Sequence, residues 1–348
     1  ISSSDAIQAI GLDDVRTAAI THVDTNPGTP LNIVGDAGSG KSTLLASILS
    51  EVSRSRSVVF TAADADDDMI AMIRKIAHDR GRRSFAQQDD LIDLANDLRQ
   101  DSAVVFIDEF PASASGAVAA LAAQGVPVVV ALKGHDNLPG LASLAVPHLN
   151  ADNARRLASR LLQAPLGDDP ALSAFIATWS DGLPLMIEVA ANLVRSAADP
   201  SADALSAASA LLPHLRDHPS QQGRLGATLS AAHARLDPAD QECLNRLRSC
   251  ASGAWVPLAV LAEVCGDTAG HATRLAVVHL RNAGLLTATP DGKYVKVHGL
   301  IDSFLPAAPA AAAKDVAERL LHTAEARVGH PDVVAFSIDH LVAQAVVL

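Results

Sequence analysis

Runs of apolar residues alternate with helical periodicity along the first part of the chain. Leu31-Asn32-Ile33-Val34, Ser57 to Thr61, Ala103 to Ile107 and Pro127 to Ala131 are short and rich in Val and Ile. Between them, Leu44 to Leu49, Met69 to Ala77, Leu91 to Leu98 and Ala117 to Gln124 repeat apolar positions at helical spacing. The first set predicts four strands and the second predicts helices. Strands that are apolar throughout are covered on both faces. The alternation therefore predicts an α/β unit with a parallel sheet between helical layers, and ligands at the carboxyl ends of its strands.

Past His148 the strand signal fades. Asn153 to Gln163, Ala171 to Trp179, Leu185 to Ala198 and Ala202 to Leu212 read as helices, and Pro213 to Gly223 as a loop. Helices are predicted again at Pro238 to Arg248, Val256 to Cys265 and Thr268 to Ala283. Two short strands follow, Leu286 to Thr289 and Tyr294 to His298, flanking the turn Pro290-Asp291-Gly292. Three helices and a hairpin predict a winged helix. Ala307 to Ala313 reads as an Ala/Pro-rich linker, and Lys314 to Ala326 as the start of an amphipathic helix.

Composition narrows the picture. At 348 residues the chain exceeds what one core usually serves. Aromatic residues are 3% and hydrophobic residues 49%, so the core is built from Ala, Leu and Val, which favours helices. A net charge of −12 offers no general attraction to a polyanion, so unaided binding to nucleic acid or an anionic membrane is not expected. Cys243, Cys250 and Cys265 match neither a zinc site nor a disulfide framework, and read as reduced thiols of a cytoplasmic protein. The longest apolar stretch, Ala117 to Leu132, is broken by Gln124, Gly125 and Pro127, which argues against a membrane span. No signal peptide opens the chain. It begins at Ile1 and stops inside the apolar run Val342 to Leu348, and a fragment of a larger protein is the expectation.

The chemistry centres on Gly35-Asp36-Ala37-Gly38-Ser39-Gly40-Lys41-Ser42, which fits GxxxxGK[ST] between a predicted strand and a predicted helix. Gly35, Gly38 and Gly40 let backbone N–H groups, with that of Ser39, turn inward around a β-phosphate. The helix N-terminus adds partial positive charge, Lys41 reaches the β- and γ-phosphates, Ser42 offers its hydroxyl to Mg²⁺, and Thr43 can reach the α-phosphate. The fold class is thus a P-loop NTPase sheet followed by a helical and a winged-helix domain. The expected bounds are 1–148, 149–235, 236–306 and 307–348.

A second, independent signal is Val104 to Glu109, an apolar strand ending in Asp108 and Glu109. Asp108 can hold magnesium through water, and Glu109 can orient or deprotonate an attacking water. Lys133, after the fourth strand, is a candidate γ-phosphate sensor. Leu132 to Asp136 lacks the Asn and the spacing of a guanine-reading NKxD motif, so ATP is preferred over GTP.

Gly182-Leu183-Pro184-Leu185 reproduces the GLPL motif of the STAND class of signalling ATPases, the group with the NB-ARC domains of plant immune receptors and apoptosome scaffolds. Val297-His298-Gly299-Leu300-Ile301 falls where that family carries its MHD motif. Leu229-Ser230 through Leu236-Asp237-Pro238-Ala239 to Leu244 is similar to the winged-helix entry of large actinobacterial transcriptional regulators of the class. The resemblance runs from Gly11 to Leu305.

It implies a switch rather than a fast enzyme. ADP holds the domains closed, ATP opens them to form a homo-oligomer, and hydrolysis is slow. By the same resemblance Pro184 packs on adenine and His298 hydrogen-bonds the β-phosphate of ADP. Three departures stand out: Gly299 replaces the family's Asp, Lys133 stands for its sensor arginine, and Gly11-Leu12 stands for its Gly-Arg. An effector in front and a repeat-type sensor behind are expected to be missing, and the role to be transcriptional or defensive.

Other features read blandly. His214 and His218, flanked by Pro213 and Pro219, read as a solvated loop, and Asp64 to Asp68 as a solvated acidic one. Two rival readings are a dedicated P-loop ATPase motor and a DNA-binding winged-helix regulator. For the latter, Arg274 and Arg281 are the only hint, and direct DNA binding by this chain is not expected.

Overall fold

The computed structural model describes residues 10–63, 68–79, 89–132, 140–197, 221–250, 255–267, 269–288, 292–297, 301, 304–305 and 310–326. Contacts divide the chain into two compact units. One takes Ser2–Ala154 with Gly182–Leu185, and the other takes Arg155–Asp181 with Met186–Leu348.

The first unit is built on a five-stranded sheet. Its strands are β1 (Leu31–Val34), β2 (Val58–Ala62), β3 (Val104–Phe110), β4 (Val128–Leu132) and β5 (Ala142–Ala145), in the order β2-β3-β4-β1-β5. Every pairing is parallel, as the apolar strands predicted. The helices are α1 (Asp13–Thr25), α2 (Lys41–Val52), α3 (Met69–Asp79), α4 (Asp89–Gln100) and α5 (Ser115–Ala123).

Strand pleating distributes the core. Successive side chains point to opposite faces, so β3 sends Val105 and Ile107 into a layer with Met72, Ile76, Leu94, Leu98 and Leu121, from α3, α4 and α5. It sends Val104 and Phe106 into the other layer, with Leu44, Leu45 and Ile48 of α2 and Ala19 and Val23 of α1. Phe106 and Phe110 are the largest side chains fully buried there. Full burial of such a side chain contributes about 1.5–3 kcal/mol.

Two elements of this unit carry no strong sequence signal. The expectation was four strands, and β5 is a fifth. It lies at the sheet edge, and its short Ala-Ser-Leu-Ala run alternates between partly buried and exposed positions. α1 buries only Ala19 and Val23.

The second unit takes α6 (Ala151–Leu162) from Arg155 onward, α7 (Pro170–Trp179), and α8 (Pro184–Ala197) from Met186 onward. Further helices span Gln221–Ala234, Pro238–Cys250, Leu258–Val264, His271–Asn282 and Ala310–Ala326. A small antiparallel sheet joins Val256–Pro257 to Tyr294–Lys296 and that strand to Thr287–Ala288.

Two local expectations are corrected here. Val256 and Pro257 were read as helix and lie in a strand, because a residue before proline is pushed toward extended backbone. Ala310 to Ala313 was read as linker and is helical, in keeping with the helix propensity of Ala. The three thiols are free, with Cys243 and Cys250 buried and the Cys243 and Cys265 Sγ atoms 3.8 Å apart.

Candidate functional site

The loop between β1 and α2 sits at the carboxyl end of the sheet. Gly38 and Gly40 take positive φ of 81° and 97°, a region open to glycine at no steric cost. Gly40 is the residue before α2, so the loop's N–H groups run directly into a helix N-terminus. A Cβ on Gly38 would lie 2.7 Å from Leu185 Cβ, and one on Gly35 would lie 2.8 Å from Ser39 Oγ. Both positions are shut to any larger residue.

Lys41 is held inside this turn. Its Nζ donates to the Gly35 carbonyl at 2.8 Å and to that of Asp36 at 3.1 Å. Burial pushes its pKa down, and the charges of Asp108 and Asp36 oppose that shift. A half-buried ammonium group bonded to backbone carbonyls is suited to exchange them for phosphate oxygens.

β3 approaches from the far side of β4. Ser42 Oγ donates to Asp108 Oδ1 at 3.0 Å, and the Glu109 N–H donates to the same oxygen at 3.0 Å. The strand was expected to end in the two acids, but it continues to Phe110, and its register against β4 shifts between Ile107 and Phe110. The shift is made at Glu109, whose φ is +54°. That region is strained for a residue with a side chain, and such strain gathers at functional sites.

The segment after β5 closes the site. Val146 N–H donates to Val34 O at 2.8 Å, and Leu149 N–H to Gly182 O at 2.9 Å. Leu185 N–H donates to Gly38 O at 3.2 Å, so Gly182–Leu185 is bonded to the loop itself. Pro184 opens α8, a position where its missing N–H costs nothing. Leu12 is buried near Gly40.

A family model described as ABC transporter matches residues 20–197, just over half of the chain. The chain belongs to the ABC transporter family. What this ABC-family chain displays of it is the P-loop NTPase domain. No helix among the described residues is long and apolar enough to cross a membrane.

Among solved structures, a signal transduction ATPase with numerous domains (STAND) carrying a tetratricopeptide repeat sensor, from Pyrococcus horikoshii, matches with a TM-score of 0.62 at 14% identity. The match covers 94% of this chain and 47% of that one. The ABC-family chain thus spans about half the length of the STAND protein, and at this identity the likeness is one of fold. Cdc6p from Pyrobaculum aerophilum matches with a TM-score of 0.42 at 14% identity, over 91% of this chain and 97% of that one. No curated protein sequence matches the chain.

Of the sequence-predicted residues, the structure brings Gly35, Gly38, Ser39, Gly40, Lys41, Ser42, Asp108 and Glu109 together at one end of the sheet, with Thr43 on the first turn of α2 and Pro184 next to Leu185. Lys133 and His298 lie outside the described residues, as do His214, His218 and most of the 64–68 acidic run. Sequence reading missed one contact. His148 Nε2 lies 2.7 Å from Asp36 Oδ2, joining residues 112 positions apart that no motif connects.

The ligands implied by the loop fit what is present. Ser39 Oγ is buried in the loop with no partner among the described residues, so an acceptor arriving there would satisfy it. One hydroxyl and one carboxylate, Ser42 and Asp108, suit Mg²⁺, which keeps several waters and takes phosphate oxygens for the rest.

Proposed function

We propose that this chain is the nucleotide-switch core of a STAND-type ATPase, closed with ADP and opened by ATP for assembly. The observation that carries the reading is the hydrogen bond from Leu185 N–H to Gly38 O. It ties the phosphate loop to the first turn of α8, whose later residues belong to the helical unit. A change in the loop on nucleotide exchange thereby acts on a helix that leaves the site.

In this reading the N–H groups of Gly38 to Thr43 surround the α- and β-phosphates, and Lys41 contacts the β- and γ-phosphates. Ser42 and Asp108 hold Mg²⁺, which when bound neutralises charge on the phosphate oxygens. Glu109 orients the water that attacks the γ-phosphate and accepts its proton, which makes the chain a slow ATPase. Pro184 packs on adenine, Lys133 senses the γ-phosphate, and His298 donates to the β-phosphate of ADP. The helices after Asp237 and the small antiparallel sheet form a winged helix.

The oligomer forms on ATP binding, an effector and a repeat-type sensor complete the protein, and the output is transcriptional or defensive in the cytoplasm. A DNA-reading role for the winged helix is disfavoured, because the helix His271–Asn282 exposes Leu275 and Val278 between Arg274 and Arg281.

The nucleotide retained by freshly purified, denatured protein distinguishes the switch from a motor. The expected result is stoichiometric ADP, lost in Lys41→Ala. An empty site with rapid hydrolysis stimulated by a macromolecular substrate would overturn the switch.

A further inference from the structure

Asp36 is the second residue of the phosphate loop, and a carboxylate there sits awkwardly beside an anionic ligand. Its backbone carbonyl accepts from Lys41 Nζ at 3.1 Å, and its negative charge raises the Lys41 pKa against the lowering by burial. A polyphosphate gripped by Lys41 therefore enters the field of Asp36 as well as that of Asp108. Asp108 has a partner for its charge in the metal that the site accommodates. Asp36 needs another.

His148 supplies it. The imidazole Nε2 lies 2.7 Å from Asp36 Oδ2, within reach of a charge-assisted hydrogen bond, and both side chains are partly exposed. The imidazole is delivered there by backbone bonds that do not involve the pair. Val146 N–H is fixed to Val34 O directly before the loop, and Leu149 N–H is fixed to Gly182 O. With Val146 and Leu149 pinned on either side, the position of His148 is set by the sheet and by the Gly182–Leu185 segment.

We infer that His148 is a positioning residue for nucleotide binding: its hydrogen bond holds the Asp36 carboxylate away from the phosphates, so that the loop accepts a triphosphate. The inference rests on the nucleotide-binding reading above. His148 acts through Asp36 and touches no phosphate itself.

A double-mutant cycle on the full chain, read by calorimetric titration with Mg-ATP, tests the assignment. His148→Ala removes the hydrogen bond that holds the carboxylate, and affinity is expected to fall about tenfold, the scale of one charge interaction near a protein surface. Asp36→Asn removes the charge that repels the phosphates, so Asp36→Asn/His148→Ala should return to within about threefold of wild type. His148→Gln, which keeps a donor, should recover part of the loss.

The deficit in His148→Ala should also shrink at high salt, which a loss of packing alone would not do. Circular dichroism confirms that each variant is folded. Wild-type affinity in His148→Ala, or a double variant as weak as His148→Ala, would overturn the inference while leaving nucleotide binding intact. A wild-type chain that binds no nucleotide would instead bring down the reading on which it rests.

Discussion

Ser42 and Asp108 stand 66 positions apart, and Ser42 Oγ donates to Asp108 Oδ1 at 3.0 Å. The bond joins the first turn of α2 to β3, and the sheet supplies the frame: β1, which the loop leaves, and β3, which carries the acid, flank β4. Neither group is placed by local sequence alone. A hydroxyl and a carboxylate so close can exchange their mutual bond for a shared cation or its water shell. Ser42→Ala and Asp108→Asn should each weaken ATP binding about 10- to 100-fold in the presence of Mg²⁺ and leave binding in EDTA nearly unchanged. Titrations with and without the metal check this, and an equal loss in both conditions would remove the metal role.

Glu109 pays out its effect at a different step. Its φ of +54° breaks the register of β3 and sets its side chain apart from the alternating pattern of the strand. Glu109→Gln preserves shape and removes the base. Phosphate release should fall about 10²- to 10⁴-fold, with ATP affinity kept. Single-turnover hydrolysis is the measurement, and unchanged turnover would strip Glu109 of the role.

Gly182 opens the segment that meets the loop. Its φ is +70°, and a Cβ there would run into the Leu149 carbonyl. Gly182→Ala should cost at least about 1–2 kcal/mol from the left-handed backbone alone, which corresponds to about 2–4 °C in Tm per kcal/mol. It should also weaken nucleotide binding, because the bond from Leu185 to Gly38 depends on the same turn. Thermal unfolding with and without ATP reads both effects. A variant with unchanged Tm and affinity would show that the turn is not needed.

The legibility of these features follows from how each is stabilised. β1 to β4 were readable because strands buried on both faces must be apolar along their length, and the phosphate loop because its glycines and Lys41 are demanded by backbone geometry. β5 was not readable, since an edge strand of Ala-Ser-Leu-Ala needs little hydrophobicity to pair with β1. Asn32 interrupts an apolar strand and yet is fully buried, with neither side-chain amide atom partnered among the described residues, so polarity alone would have placed it wrongly. The pairing of His148 with Asp36 was invisible because it is a tertiary contact between two residues that carry no shared pattern.

His233 gives the helical unit a defined response to acid. It lies near the end of the helix Gln221–Ala234, and its Nε2 is buried without a partner among the described residues. Burial lowers its pKa below the ordinary value of 6.5, and the positive charge of Arg248 lowers it further. The unfolded chain therefore takes up a proton near pH 6.5, while the folded chain resists until the pH is lower. Between those two values the unfolded state binds more protons, so stability falls as pH falls through 6.5 and stops falling on this account below the folded-state value. The Tm of the wild-type chain should drop between pH 7.5 and 5.5, roughly spanning that window, and His233→Gln should remove part of the drop. Arg248→Met should also reduce it, by lifting the repulsion on the imidazolium. If the pH slope of Tm is the same in wild type and His233→Gln, the buried imidazole is not the group responsible.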